Sequence, residues 1–254
     1  MSDLQWYQYV LIGFIFIWSG FVRSGLGFGG AVLALPFLLI VDNQPLVYLP
    51  LIAVHLLFFS SLTVIQNYRY SYKHGVKATI DWTYLRKALG VMIIPKLVGV
   101  FGLIILPATL MSAIIMGIVS IYAISYILNK PFQGGHPFVN VGLLMLGGYV
   151  SGTSLIGAPL IVAVFSIYVA KESLRNTLFM LWFILVTIKM AAFIYFGVDL
   201  QLIHHLWLLP CAACGHLLGL RFHHHIVNTD SRVFYRVLGV VLLVTSFVGL
   251  LNLA

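Results

Sequence analysis

The sequence predicts an all-α polytopic membrane protein made of two inverted repeats, each a broken or re-entrant helical hairpin followed by three transmembrane helices, roughly 8 to 10 membrane segments in all. Three observations lead there. Hydrophobic residues make up 61% of the 254 positions and charged residues only 8%, where a globular domain carries about a quarter of its residues as charges. One motif occurs twice, as SGLGFGGAVL at 24–33 and as SGTSLIGAPL at 151–160, 127 positions apart. The positive charges, finally, are distributed so that only one arrangement of the segments gathers them on one side of a membrane.

Taken in order, residues 7–41 form an apolar stretch too long for one helix and interrupted by the first Ser/Gly motif. Three full-length spans follow, at about 46–66, 87–105 and 109–128. The stretch 139–169 repeats the first pattern, and three further spans are read at about 176–196, 203–220 and 232–253. Glycine weakens a helix by about 1 kcal/mol per residue, so each long stretch breaks at its motif, either as one interrupted span or as a hairpin. With about a dozen residues in each arm, the second hairpin would reach roughly 18 Å, ending inside the ~30 Å apolar core. The repeats are assigned to 1–130 and 131–254.

Charge decides between span and hairpin. Arg69, Lys73, Lys77, Arg86, Lys87, Lys130, Lys171, Arg175, Arg221, Arg232 and Arg236 lie in or beside loops. If each broken stretch crossed the membrane once, these eleven would divide six to five; if each returns to its starting side, all eleven fall in the cytoplasm, where Lys and Arg of short loops belong. The hairpin reading places both termini outside, gives the halves opposite orientations, and brings the two motifs in from opposite faces to meet near the midplane. No basic n-region precedes the first apolar run, so no cleaved leader is read. The net charge of +8 is accounted for by the cytoplasmic loops and not by nucleic acid.

The motifs carry the chemistry. Ser24 and Ser151, Gly25 and Gly152, Gly30 and Gly157, Ala31 and Ala158, and Leu33 and Leu160 are identical pairs, and Gly27 stands opposite Ser154. Non-helical backbone at membrane depth is tolerated only against protein or a water-filled cavity. Gly25, Gly27, Gly29, Gly30, Gly152 and Gly157 let backbone amides approach a ligand, the following half-helix presents its positive N-terminus, and the hydroxyls of Ser24, Ser151, Thr153 and Ser154 add donors. An anion fits such a site. The competing explanation is close helix packing through small residues; duplication at both breaks favours the ligand.

Three basic residues remain inside the apolar segments, Arg23, Lys96 and Lys189, while all six acids (Asp3, Asp42, Asp81, Glu172, Asp199, Asp230) fall in loops or at ends. An intramembrane cation is by default a functional residue, and a translocated anion supplies its missing counter-charge. PKLVG at 95–99 aligns with GHLLG at 215–219, pairing Lys96 with His216. Lys96 is read as a substrate or gating residue. His216 is balanced between that role and helix packing. Arg23 is read as a ligand, with capping of helix-end carbonyls as the alternative. Lys189, placed nearer a membrane edge, is expected to snorkel.

Cys211 and Cys214 form a CxxC inside an apolar helix, without the fold context a thiol redox centre needs. A thiol oxidoreductase is the alternative function they define, and a passive anion channel is another. His223, His224 and His225 are adjacent and have no Cys or acidic companions, so no metal is assigned. His204, His205 and Trp207 read as interfacial. No cofactor is implied.

GFVRSGLGFGGAVLALPFL and GGYVSGTSLIGAPLIVAVF resemble the paired signatures of the TauE/SafE family of bacterial permeases, also called the 4-toluene sulfonate uptake permease family; the Arg-Asn-Thr beginning at Arg175 and the duplication agree. The resemblance covers the whole chain. It implies a multi-pass protein of the bacterial cytoplasmic (inner) membrane that transports sulfite or a small organosulfonate, often outward. Its partners are then a small sulfur-containing anion and the lipid bilayer. One departure is visible, with Ile156 where the first motif has Gly29.

Overall fold

The computed structural model describes residues 1, 4–26, 30–74, 80–227 and 231–253, with the side chains of 25–26, 67, 70–74, 222–227 and 231–234 excepted. Ten α-helices and one short 3-10 turn, with no strand, make up the regular structure of the described residues. The order is α1 (Trp6–Leu26), α2 (Gly30–Val41), α3 (Pro45–His74), α4 (Trp82–Ile105), α5 (Ala108–Ile127), α6 (Pro137–Ser154), α7 (Ala158–Tyr168), α8 (Lys171–Tyr195), the turn Leu202–His204, α9 (His205–Val227) and α10 (Ser231–Leu251). Five segments are long and apolar enough to cross a membrane: Pro45–Gln66, Trp82–Ile105, Ala108–Ile127, Lys171–Tyr195 and Leu202–Arg221. Every apolar run of the sequence has become a helix because a bilayer leaves no other way to satisfy its amides.

Both broken stretches are hairpins. Gln8 Nε2 at the start of α1 donates to Val41 O at the end of α2, 2.8 Å away. Asn140 Nδ2 at the start of α6 donates to Tyr168 OH at the end of α7, 2.7 Å away, while Asn140 Oδ1 accepts the Gly135 amide. An interrupted single span would hold these ends a membrane thickness apart.

The arms differ from expectation in one respect. α6 holds 18 residues and α7 only 11, about 27 Å and 16 Å at 1.5 Å per residue. The leading arm therefore runs into the Ser/Gly motif, and the helix stops at Ser154, the motif's fourth residue. Leu155 closes it in the left-handed conformation (φ 61°), its amide bonded to Ser151 O. Likewise α1 continues to Leu26, past Ser24. Both interruptions therefore fall inside the motif, where the sequence places them, although Gly25 and Gly152 themselves remain helical.

The chain forms two compact units. The first comprises Met1–Leu51, Leu103–Pro131 and Asp199–Ala254, the second Ile52–Gly102 and Phe132–Val198. Each unit thus takes its hairpin from one half of the sequence and part of its helices from the other, with two of the four divisions falling inside α3 and α4. In the first unit α1 packs on α9 and α2, and α10 packs on α5 and α2. The second has a core of Leu85, Ala88 and Met92 from α4, Leu144 from α6, Ile161, Val164 and Phe165 from α7, and Leu181 and Leu185 from α8. Apolar side chains also cover the outside: Ile94, Leu97, Val98 and Phe101 on α4 are exposed while Lys96 between them is 0% exposed. A helix that turns its aliphatic residues outward and its lysine inward is oriented for lipid.

Candidate polar sites at the two broken helices

In the second unit the site is built on the C-terminal turn of α6. The last carbonyls of a helix have no amide of their own and together carry a partial negative charge. Here they are met by two lysines. Lys96 Nζ, from α4, lies 3.1 Å from Ser151 Oγ and 3.3 Å from Ser151 O. Lys189 Nζ, from α8, donates to Gly152 O at 2.8 Å and to Thr153 O at 3.2 Å, and stands 5.5 Å from the centre of the Phe193 ring. Both lysines are 0% exposed.

Glycines let the helices come close enough for this. A Cβ on Gly152 would sit 2.3 Å from Lys96 O, one on Gly99 2.3 Å from Tyr149 O, and one on Gly148 2.7 Å from Met92 O. α4 and α6 therefore cross with backbone against backbone, the close approach small residues permit in membranes. Gly157, after the break, fits in the same manner with Gly147 O 2.3 Å from the Cβ position. The hydroxyls of Thr153 and Ser154 turn back to Val150 O, at 3.1 and 2.9 Å, as such side chains often do in apolar helices. Beyond the break, the first-turn amides of α7 precede any helical acceptor, and Pro159 removes one of them.

The first unit has a corresponding pair. Ser24 Oγ on α1 is hydrogen-bonded to His216 Nδ1 on α9, both residues buried. The crossing of α1 and α9 is again glycine-lined: a Cβ on Gly20 would meet Ala212 O at 2.2 Å, and one on Gly215 would meet Ile17 O at 1.9 Å. Arg23 is buried beside Ser24. Gly30 opens α2 against Ser19 O, 2.8 Å from its Cβ position, and Ser19 Oγ donates to Gly30 O at 3.1 Å. Gly25 lies within α1; Gly27 and Gly29 lie outside the described residues.

The structure thus brings together Ser151 with Lys96, and Ser24 with His216, the same two alignments in each case. It corrects the expectation for Lys189, which does not snorkel but is fully buried on the motif itself. The sequence held a signal for this in the absence of any acid between Glu172 and Asp199, although not its partner. Cys211 and Cys214 are free thiols on α9, the second of them exposed. Among the described residues no three His, Cys, Asp or Glu side chains group as metal ligands. Asp42, Asp81, Glu172 and Asp199 all stand at helix ends or in loops, so lysine, arginine and histidine are the ionisable groups packed at the breaks.

Paired helical hairpins with broken halves, buried cations at the breaks and an apolar exterior define a multi-pass membrane transport protein. The chain belongs to the Sulfite exporter TauE/SafE family, whose sequence model matches residues 11–248. No curated protein and no solved structure matched the chain.

Proposed function

We propose that the protein is a secondary transporter, working in the export direction, for a small sulfur-containing anion such as sulfite or a C2 organosulfonate, by alternating access with one broken-helix site in each compact unit. The observation that carries this reading is the pairing of a buried basic side chain with each motif serine, Lys96 on Ser151 and His216 on Ser24, in apolar helices whose interiors hold no carboxylate. Such a centre attracts an anion and repels a metal cation. Family membership supplies the sulfur chemistry. Arg23 and the amides at the start of α7 complete the candidate binding groups, with Gly25, Gly27, Gly29, Gly30, Gly152 and Gly157 shaping the breaks and Thr153 and Ser154 lining the second.

The halves 1–130 and 131–254 are read as inverted repeats in the bacterial cytoplasmic membrane with both termini outside. The correspondence of the Ser24–His216 and Ser151–Lys96 pairs supports the repeat, and the cytoplasmic gathering of Lys and Arg supports its orientation.

The purified protein in liposomes tests this. Sulfite, sulfoacetate, thiosulfate and sulfate are supplied singly and in pairs, and uptake or efflux is followed. Saturable flux, with sulfite and sulfoacetate competing, is the expected result; if no sulfur anion is carried or none competes with another, the substrate assignment is wrong, and non-saturating flux would make the protein a channel. Replacing Cys211 and Cys214 together by serine is expected to leave this flux within a factor of two, about 0.4 kcal/mol, because Cys214 is exposed and an anion-binding centre built on basic side chains needs no thiol. Loss of transport in that variant would favour thiol chemistry.

A further inference from the structure

We propose that Lys189, together with Lys96, is a resident cation of the second broken helix: its ammonium occupies the carbonyl end of α6, where a broken-helix transporter otherwise binds a free coupling cation, so this unit needs no sodium. Half-helix C-termini and unwound carbonyls are the sodium and proton sites of such transporters, and three carbonyls of this end are already engaged. Ser151 O receives the Leu155 amide and the Lys96 ammonium, and Gly152 O and Thr153 O both receive Lys189. The two lysines enter from different helices, α4 and α8, and both are completely enclosed.

Lysine suits this position for a physical reason. An ammonium matches the negative end of the helix, and it is tethered, so it neither leaves nor needs to be bound from solution. The Phe193 ring 5.5 Å away adds a second surface that favours a cation. No acid follows Glu172 on the helix that carries Lys189, and its ammonium donates to the α6 carbonyls Gly152 O and Thr153 O. Lys189 is accordingly a positioning residue: it holds the break at 155–157 and acts on substrate only through that geometry.

The flux arm of the test rests on the transporter reading, whereas the stability arm does not. The full-length protein in detergent is unfolded thermally in sodium, choline or methylammonium chloride at equal ionic strength. Wild type is expected to have the same midpoint in sodium and choline. Lys189→Ala is expected to fall in choline and to regain roughly 2–4 °C or more in methylammonium, which fits the space the side chain leaves. Lys189→Met, whose chain fills that space without charge, is expected to be lowered and to respond to neither salt. In liposomes, wild-type sulfite flux should not change when choline replaces sodium, and Lys189→Ala flux should recover with methylammonium.

A wild-type midpoint raised by sodium over choline overturns the proposal, as does a Lys189→Ala midpoint equal in methylammonium and choline. If Lys189→Ala is recovered only when methylammonium is present throughout purification, the proposal stands; if it is recovered in neither salt while Lys189→Met is, it fails. Absence of any sulfite flux from wild type, with the salt pattern as expected, would count against the transport assignment alone.

Discussion

Gly215→Ala and Gly152→Ala are expected to unfold their units, each by a single methyl group. The Cβ of alanine at 215 would lie 1.9 Å from Ile17 O and 2.9 Å from Phe21 N; at 152 it would lie 2.3 Å from Lys96 O and 3.1 Å from Gly99 Cα. Every one of these neighbours is backbone, so no side chain can rotate away, and one whole helix must move. Overpacking of a closely fitted interior commonly costs about 1–3 kcal/mol where side chains can adjust; with backbone on both sides the cost should reach or exceed that upper figure. Helices held by packing, with no hydrophobic force between them in lipid, have little else to offset it.

The control is internal. Gly90 on α4 and Gly117 on α5 have nothing within 4 Å of the Cβ position, and glycine in a helix is less stable than alanine by about 0.5–1 kcal/mol. Alanine at those two sites should leave the unfolding midpoint unchanged or raise it slightly. Thermal or denaturant unfolding of the four variants in detergent decides the matter. If Gly152→Ala and Gly90→Ala unfold alike, the close crossing of α4 and α6 is wrong.

These glycines also explain what the sequence hid. Glycine in an apolar run reads as a helix breaker, yet Gly152 stays helical: the propensity penalty is only about 1 kcal/mol, and close packing against Lys96 O and Gly99 outweighs it. Within the motif the break falls at Leu155, a residue with no sequence signal for a positive φ. The number and order of segments were legible, because hydropathy needs no partner to be seen. Duplication also aligned Ser24 with Ser151 and Lys96 with His216, but which serine meets which basic side chain came only from the contacts. The place of Lys189 was not legible, since its partners are backbone carbonyls, and carbonyls carry no sequence identity. The grouping into compact units was equally invisible: each draws helices from both halves of the sequence, and contacts between distant segments leave no local mark.

Lys96→Met should produce the largest functional loss at the second break. The substitution keeps an unbranched side chain on the crowded face of α4 but removes the ammonium that bonds Ser151 Oγ and Ser151 O. A hydrogen bond to a charged group contributes roughly 1.5–3 kcal/mol, so anion flux should fall about 10- to 150-fold, with the fold retained. A double-mutant cycle separates this from general damage. Ser151→Ala alone should lower flux, yet added to Lys96→Met it should lower it little further, because the serine's partner is already gone; residues in one hydrogen-bonded pair couple, whereas unconnected ones add. Ser24→Ala and His216→Phe form the matching cycle in the first unit. Full additivity within each pair would mean that the contacts are incidental to transport. Strong coupling in both cycles would mean that the motif serines act through the basic residue each one holds, so that the duplicated Ser/Gly sequence works as an anchor for a charge at least as much as a ligand in its own right.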